Sequence, residues 1–331
     1  MNNKLNCKHI LKPWFVVGAQ TLAAICGLAA VPQAVAADAP GWMHAAASAP
    51  VPAHDEKTDA VVLDSEMTVT VQSTDRVKTQ VRVAYKILRP DGRGLGVVKV
   101  HFDSRRKINN LRGWCIPAQG KDYEVRDKEA VDVALSGIEG SELISDVKER
   151  VLQIPAADPG NVIGYEYEVE EQPFTLQRAW NPQLSIPVRE ASFTLQLPPD
   201  WEYKAAWLNL PEVKPWHSGT EWRWVVSDVK ALTPEEEMPP WNAVSGQMVV
   251  SFFPPGGALP DKMFSNWQQM GNWYSLLTQA QRDPSPELKQ RADALTAGLT
   301  SPLDKMRALA GFVQKEVRYV AIELGIGSLQ P

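Results

Sequence analysis

From Asp59 onward the apolar positions recur at every second residue. In the run "AVVLDSEMTVTV", Val61, Leu63, Met67, Val69 and Val71 share one face, and Asp64, Glu66, Thr68 and Thr70 share the other. The next run, "RVKTQVRVAYKIL", repeats the pattern with Val77, Val81, Val83, Tyr85 and Ile87 against Lys78, Arg82 and Lys86. A period of two with one polar face predicts half-buried antiparallel strands. For apolar to face apolar across the pair, partner numbers must sum to an even value, so the loop has an odd length. Gln72 opposite Arg76, around the loop Ser73-Thr74-Asp75, meets this condition, and Asp75 tolerates the left-handed conformation such loops need. The same register sets Glu66 beside Arg82 on the wet face.

The alternation continues. "RPDGRG" reads as a turn, followed by a strand over Val97–Phe102, a hairpin around "PAQGKD" and a strand over Val147–Ile154. After a Pro-Gly turn at Asp158–Asn161, "VIGYEYEVEE" predicts Tyr165, Tyr167 and Val169 inward and Glu166, Glu168 and Glu170 outward. Further strands are predicted near Ala191–Leu197, Trp201–Leu208, Trp222–Val229 and Met248–Phe253. Many short strands at regular spacing predict a mainly β fold, an antiparallel β-sandwich over residues 58–254.

At "FFPPGGALP" the period changes. A helix is predicted from Phe264 to about Gln281. A second opens on Ser285-Pro286-Glu287 and ends near Gly298, and a third opens on Ser301-Pro302 with Asp304 in its first turn. In the third, Leu303, Met306, Ala310, Val313 and Val317 form one apolar stripe. Residues 255–331 thus read as a short α-helical segment beginning a second, α/β unit. Ahead of the strands, residues 37–57 are rich in Ala and Pro and read as a linker, a tether or one loose turn.

The N-terminus adds an address. Lys4, Lys8 and Lys12 precede an apolar run from Trp14 to Val31, Pro32 breaks it, and Ala34-Val35-Ala36 is a small-x-small cleavage site. Residues 1–36 are therefore expected to be a signal peptide cleaved after Ala36, giving a periplasmic or extracellular protein with no membrane span after cleavage. The competing reading is an uncleaved anchor, against which Gln20, Thr21 and Pro32 weigh. Ile25 makes Cys26 a poor lipidation site. Losing residues 1–36 removes three lysines and no acids and takes the formal net charge from −5 to −8. Such an acidic chain has no electrostatic footprint for nucleic acid. Cys7 and Cys26 leave with the signal, so Cys115 is left without an intramolecular disulfide partner.

Little in the remaining chain points to catalysis. A Cys or Ser nucleophile needs a base within hydrogen-bond reach, usually His. Only His44, His54, His101 and His217 remain, two of them in the linker and one in a "WHSG" turn. A Cys115–His101 pair stays open on spacing, beside the preferred reading of Cys115 as a packed thiol next to Trp114. No paired His or Cys stands at metal-ligand spacing. In "DGRGLGVV", Val97 occupies the third glycine position of a dinucleotide loop, so the segment reads as a turn. Trp180, Trp201, Trp207, Trp216, Trp222, Trp224 and Trp241 cluster within one stretch, and Trp222 and Trp224 share a strand face. They read either as a platform for glycan rings or, preferably, as filling between two sheets.

The segments "DAVVLDSEMTVTV", "RVAYKILRPDGRG", "DPGNVIGYEYEVEEQP" and "SIPVREASFTLQLPPDWEY" resemble the bacterial family known as domain of unknown function 3857, over roughly residues 58–255. In that family the β-domain commonly precedes a transglutaminase-like domain, and "PLDKMRALAGFVQKEVRYVAIELGIGSLQP" is similar to the beginning of one. The resemblance implies a thiol-dependent peptidase, amidase or acyltransferase as the complete relative, its nucleophile in a "GDCKD"-like motif soon after this run. This sequence has no Cys after Cys115 and no His after His217, so no catalytic, cofactor-binding or metal-binding residue is carried over. The expectation is a non-catalytic β-sandwich followed by the start of an incomplete α/β transglutaminase-like domain. The alternative is a freestanding envelope module, with envelope proteins or glycan as partners and no cofactor.

Overall fold

The computed structural model describes residues 35–36, 38–134, 143–256, 264, 266–318 and 321–323. Residues 1–34 of the expected signal lie outside them, as do 324–331. Within the described residues the protein is mainly β. In chain order the strands are β1 (Val35–Ala36), β2 (Ala60–Ser73), β3 (Arg76–Ile87), β4 (Val97–Phe102), β5 (Arg106–Ile116) and β6 (Tyr123–Arg126). Next come β7 (Val131–Ala134), β8 (Leu143–Ser145), β9 (Lys148–Gln153), β10 (Val162–Glu171), β11 (Gln177–Trp180) and β12 (Val188–Gln196). The last are β13 (Glu202–Leu208), β14 (Trp216–Ser218), β15 (Glu221–Val229), β16 (Gln247–Phe253) and β17 (Ala321–Glu323).

A nine-stranded sheet runs in the order β1-β6-β5-β10-β3-β2-β12-β15-β14. Two three-stranded sheets, β4-β9-β7 and β11-β16-β13, share one apolar core with its inner face. The result is a β-sandwich. It departs from an all-antiparallel arrangement at β12, which runs parallel to β2. After β10 the chain passes through β11 in a covering sheet before entering β12, and a parallel neighbour requires such a crossover.

The predicted register of β2 and β3 is present where it matters, with Glu66 opposite Arg82 and Val71 opposite Val77. Two irregularities modify it. At the turn, Ser73 pairs with Arg76, so the expected three-residue loop is a two-residue turn beside a bulge at Gln72. A second bulge falls between Val62 and Asp64. It interrupts the period of two, so Val61 and Leu63 face away from Met67, Val69 and Val71 instead of joining them. An alternation read from sequence carries no marker for an extra residue.

That displaced apolar patch is covered by a helix. Residues 37–57, expected as a linker, contain α1 (Gly41–Ser48). Ala39, Met43 and Ala46 of this segment are buried against Val61, Leu63, Ala84, Trp114 and Val162. Asp122 fastens it, accepting from the Ala39 amide at 2.9 Å and lying 3.0 Å from His44 Nε2. Met43 sits directly on Gly164. A Cβ there would overlap Met43 Sδ and come within 2.7 Å of the Val83 carbonyl oxygen, so β10 needs glycine where the helix crosses it.

The short helix α2 (Trp241–Val244) precedes β16. Beyond the sandwich stand α3 (Trp267–Leu277), α4 (Gln279–Arg282), α5 (Pro286–Thr296) and α6 (Pro302–Glu316). Asn266 caps α3 through Gln269 N, and Ser285 caps α5 through Leu288 N. The first predicted helix is divided, at Thr278, into α3 and α4. None of the described residues within α3–α6 is buried. β17 pairs in parallel with β8.

Candidate functional site

Cys115 lies on β5 opposite Ile163, on the inner face of the large sheet, and is fully buried. Its thiol donates to the carbonyl oxygen of Ala156 at 3.3 Å. Burial, reinforced by the carboxylates of Asp122 and Asp158, pushes its pKa up to about 12. A nucleophilic cysteine needs the opposite environment, one that favours thiolate. His101 stands on β4, exposed, with Nε2 3.0 Å from a Glu149 carboxylate oxygen. Its neighbours Val98 and Val100 point into the core that holds Cys115, so by alternation His101 points out of it. Cys115 is thus a packed thiol and His101 a surface histidine, on opposite sides of the covering sheet.

The tryptophans divide between the two sides of the sheet. Trp224 is 1% exposed, and Trp222 beside it is half-buried. Tyr203 of β13 meets both rings, at centroid distances of 5.1 Å to Trp222 and 5.4 Å to Trp224. Trp180 adds contacts to Phe193 at 5.8 Å and to Trp207 at 6.0 Å. These rings span the gap between the large sheet and the β11-β16-β13 sheet, which is the core filling that was preferred. The pair is not equivalent, however. Trp222 lies near the sheet edge, stacked by His217 at 4.8 Å. Trp216 faces the opposite way. It pairs with Arg223 on β15 and is 60% exposed.

Arg223 belongs to the outward face of the large sheet, which is mostly polar through its middle, Val225 excepted. Arg82 lies between Glu66 at 3.7 Å and Glu166 at 3.4 Å, and Arg223 reaches Glu66 at 3.4 Å. Lys78 pairs with Glu168 at 3.5 Å, and Arg76 with Glu170 at 2.9 Å. Thr70 donates to Gln196, and Gln196 donates to Glu221. The predicted alternation of β10 is observed in this arrangement, with Tyr165, Tyr167 and Val169 packed on the core and the glutamates outward. Asp64, beside the bulge, is raised to about pKa 6 by burial first and then by Glu66 and Glu190. Sequence reasoning missed this group, because the bulge that buries it leaves no trace in the pattern. Among the described residues, no group of three or more His, Cys, Asp or Glu side chains is placed to hold a metal ion. None of the described helices is long and apolar enough to cross a membrane.

Residues 73–233 match the model of a family described as Domain of Unknown Function with solved-structure structure, DUF3857. The sandwich resembles DUF3857. The matched stretch opens at the β2–β3 turn and closes just beyond β15, so the aromatic core and most of the polar outer face fall within it. No curated protein matches the chain.

Among solved structures, the chain is similar to a protein of Parabacteroides distasonis described as a "putative protease", at 14% identity and a TM-score of 0.59. The likeness covers 77% of this chain and 50% of that one, so the chain spans about half the length of this relative. At that identity the likeness concerns the fold. Yeast LTA4 hydrolase matches at 11% identity and a TM-score of 0.30, covering 64% of this chain and 33% of the other. Legionella pneumophila aminopeptidase A matches at 9% identity and 0.29, covering 61% and 22%.

Proposed function

We propose that this chain is an exported, non-catalytic DUF3857-like β-domain that stands ahead of a transglutaminase-like unit in the cell envelope. The observation that carries the non-catalytic reading is the state of Cys115. It is the sole cysteine beyond the expected signal segment, and it is buried, protonated and turned away from His101. A thiol so held cannot attack an amide. The exposed apolar side chains of α3 and α6 support the second part. Trp267 is 85% exposed, Leu276 73% and Met306 60%, which is how helices look when the layer they pack against belongs to a larger unit. The fold shared with the Parabacteroides distasonis protein makes peptidase activity the activity to test.

The purified chain should neither cleave peptide substrates nor incorporate a primary amine into casein above the background of a Cys115→Ala variant. Thiol-sensitive turnover lost in that variant would refute the reading. Export has its own test. Fractionation of cells carrying a C-terminally tagged chain should recover it outside the cytoplasm with Ala37 at its N-terminus. Recovery in the cytoplasm with Met1 retained would refute that part alone.

A further inference from the structure

The outward face of the large sheet offers a second function. We propose that this face binds a neutral glycan chain, with Trp216 as the stacking ring. The proposal deepens the envelope reading above and rests on it for the ligand's source.

Three features of the face select this chemistry. The first is its charge. Glu66, Arg82, Glu166, Lys78, Glu168, Arg76, Glu170 and Arg223 are held against one another at 2.9–3.7 Å, so acids and bases cancel locally. Rows neutralised in this way add little net pull on a polyanion or polycation, although Glu190 and Glu221 extend the same face with further carboxylates. The second is a centre that is mostly polar, with Val225 an exposed apolar side chain on it. Thr68, Thr70, Thr194 and Gln196 occupy neighbouring positions of β2 and β12, where a protein interface would bury aliphatic and aromatic side chains. Hydroxyls and planar amides instead match a ligand whose surface is itself hydroxyl-rich.

The third feature is the border. Trp216 stands at the β14 edge, on the same side as Arg223, and presents a flat ring to solvent at one end of the polar rows. At 60% exposure the Trp216 ring is open to stacking contacts. Its ring suits the apolar face of a pyranose while Arg223 and the polar rows supply donors and acceptors. On the other side α1 rises as a wall, with Trp42 meeting Arg82 at 5.9 Å. From β14 to β10 the shelf crosses six strands, about 24 Å at an interstrand spacing of about 4.8 Å. That length fits a chain of several sugar rings better than a single small molecule. The structure thereby moves the glycan platform from Trp222 and Trp224, which serve the core, to Trp216 behind them.

The test uses the purified chain with chitohexaose, cellohexaose and maltohexaose, and with heparin and polylysine as charged polymers. At least one neutral glycan should bind saturably by calorimetry or sedimentation, and Trp216→Ala should weaken it at least tenfold with an unchanged melting temperature. Thr194→Ala should weaken it less, and Trp222→Ala should lower the melting temperature in preference to affinity. Absence of binding to all three glycans, binding to the charged polymers alone, or affinity indifferent to Trp216→Ala would each overturn the proposal. Because purified protein is used, its failure is separable from failure of the export or non-catalytic readings.

Discussion

The thiol of Cys115 donates to the carbonyl of Ala156, an alanine whose φ is +54°. The left-handed conformation costs an alanine about 1–2 kcal/mol. Here it is stabilised by two donors, since Asn161 Nδ2 also reaches the Ala156 oxygen at 2.9 Å. Cys115 therefore works as a structural group inside the sandwich. In native protein it should resist a thiol-titrating reagent at pH 8, because its pKa lies far above that value, and react at once in denaturant. Rapid modification of the folded chain would contradict the assignment.

Trp224 and Trp222 occupy the same face of β15 but differ in burial, and their substitutions should separate accordingly. Trp224→Ala empties a fully enclosed site between Phe193 and Tyr203, at a cost of about 3–5 kcal/mol. Trp222→Ala should cost clearly less, because that ring is half-buried and part of its cover is the exposed His217. Urea unfolding of the two variants measures the difference, and equal losses would mean that the edge is as tightly packed as the centre.

Much of this was legible in the sequence. The period-two runs specify a face for almost every residue of β3 and β10, and Ser285-Pro286 and Ser301-Pro302 mark the starts of α5 and α6. Interruptions of the period were not legible. The bulge at Leu63 creates an apolar patch on the outer face, and that patch turns an Ala/Pro-rich stretch into a docked helix. A helix of eight residues has little stability of its own, so the propensity of residues 41–48 gave no warning. The charged outer face was legible pair by pair, as Glu66 with Arg82. Its continuation to Arg223 and Trp216 depends on the parallel docking of β12 beside β2, which no local pattern encodes.

Asp64 makes the stability pH-dependent in a direction opposite to most carboxylates. Its pKa rises from 3.8 to about 6 on folding, so the folded chain holds this proton more tightly than the unfolded one. The penalty for its charge is fully present above pH 6. It fades as pH falls through 6 and is gone only below 3.8, where both states are protonated. Asp64→Asn should therefore raise the unfolding midpoint at pH 7.5, with the advantage over the parent shrinking below pH 6 and vanishing below 3.8. Glu66, Glu190, Arg189 and Arg223 surround the group, so the comparison is best made at constant ionic strength. A destabilised Asp64→Asn at pH 7.5 would show that the carboxylate is paired instead of stranded.

The two parts of the chain should also differ in persistence. The sandwich buries a continuous core from Ala60 in β2 to Phe252 in β16, whereas no described residue within α3–α6 is buried. Helices with exposed apolar stripes lack the tertiary packing that supplies most helical stability in proteins. Local opening there should be far more frequent than in the sheets. Limited trypsin digestion should accordingly cut first at Lys289, Arg291, Lys305 or Arg307, leaving a resistant fragment from about Ala39, which is docked with α1, to Phe253. Hydrogen exchange should give the same ranking, with amides of α5 and α6 exchanging well before those of β3 and β10. Equal protection of the helices would mean that their apolar faces are covered in solution, and that the helical unit holds its own core.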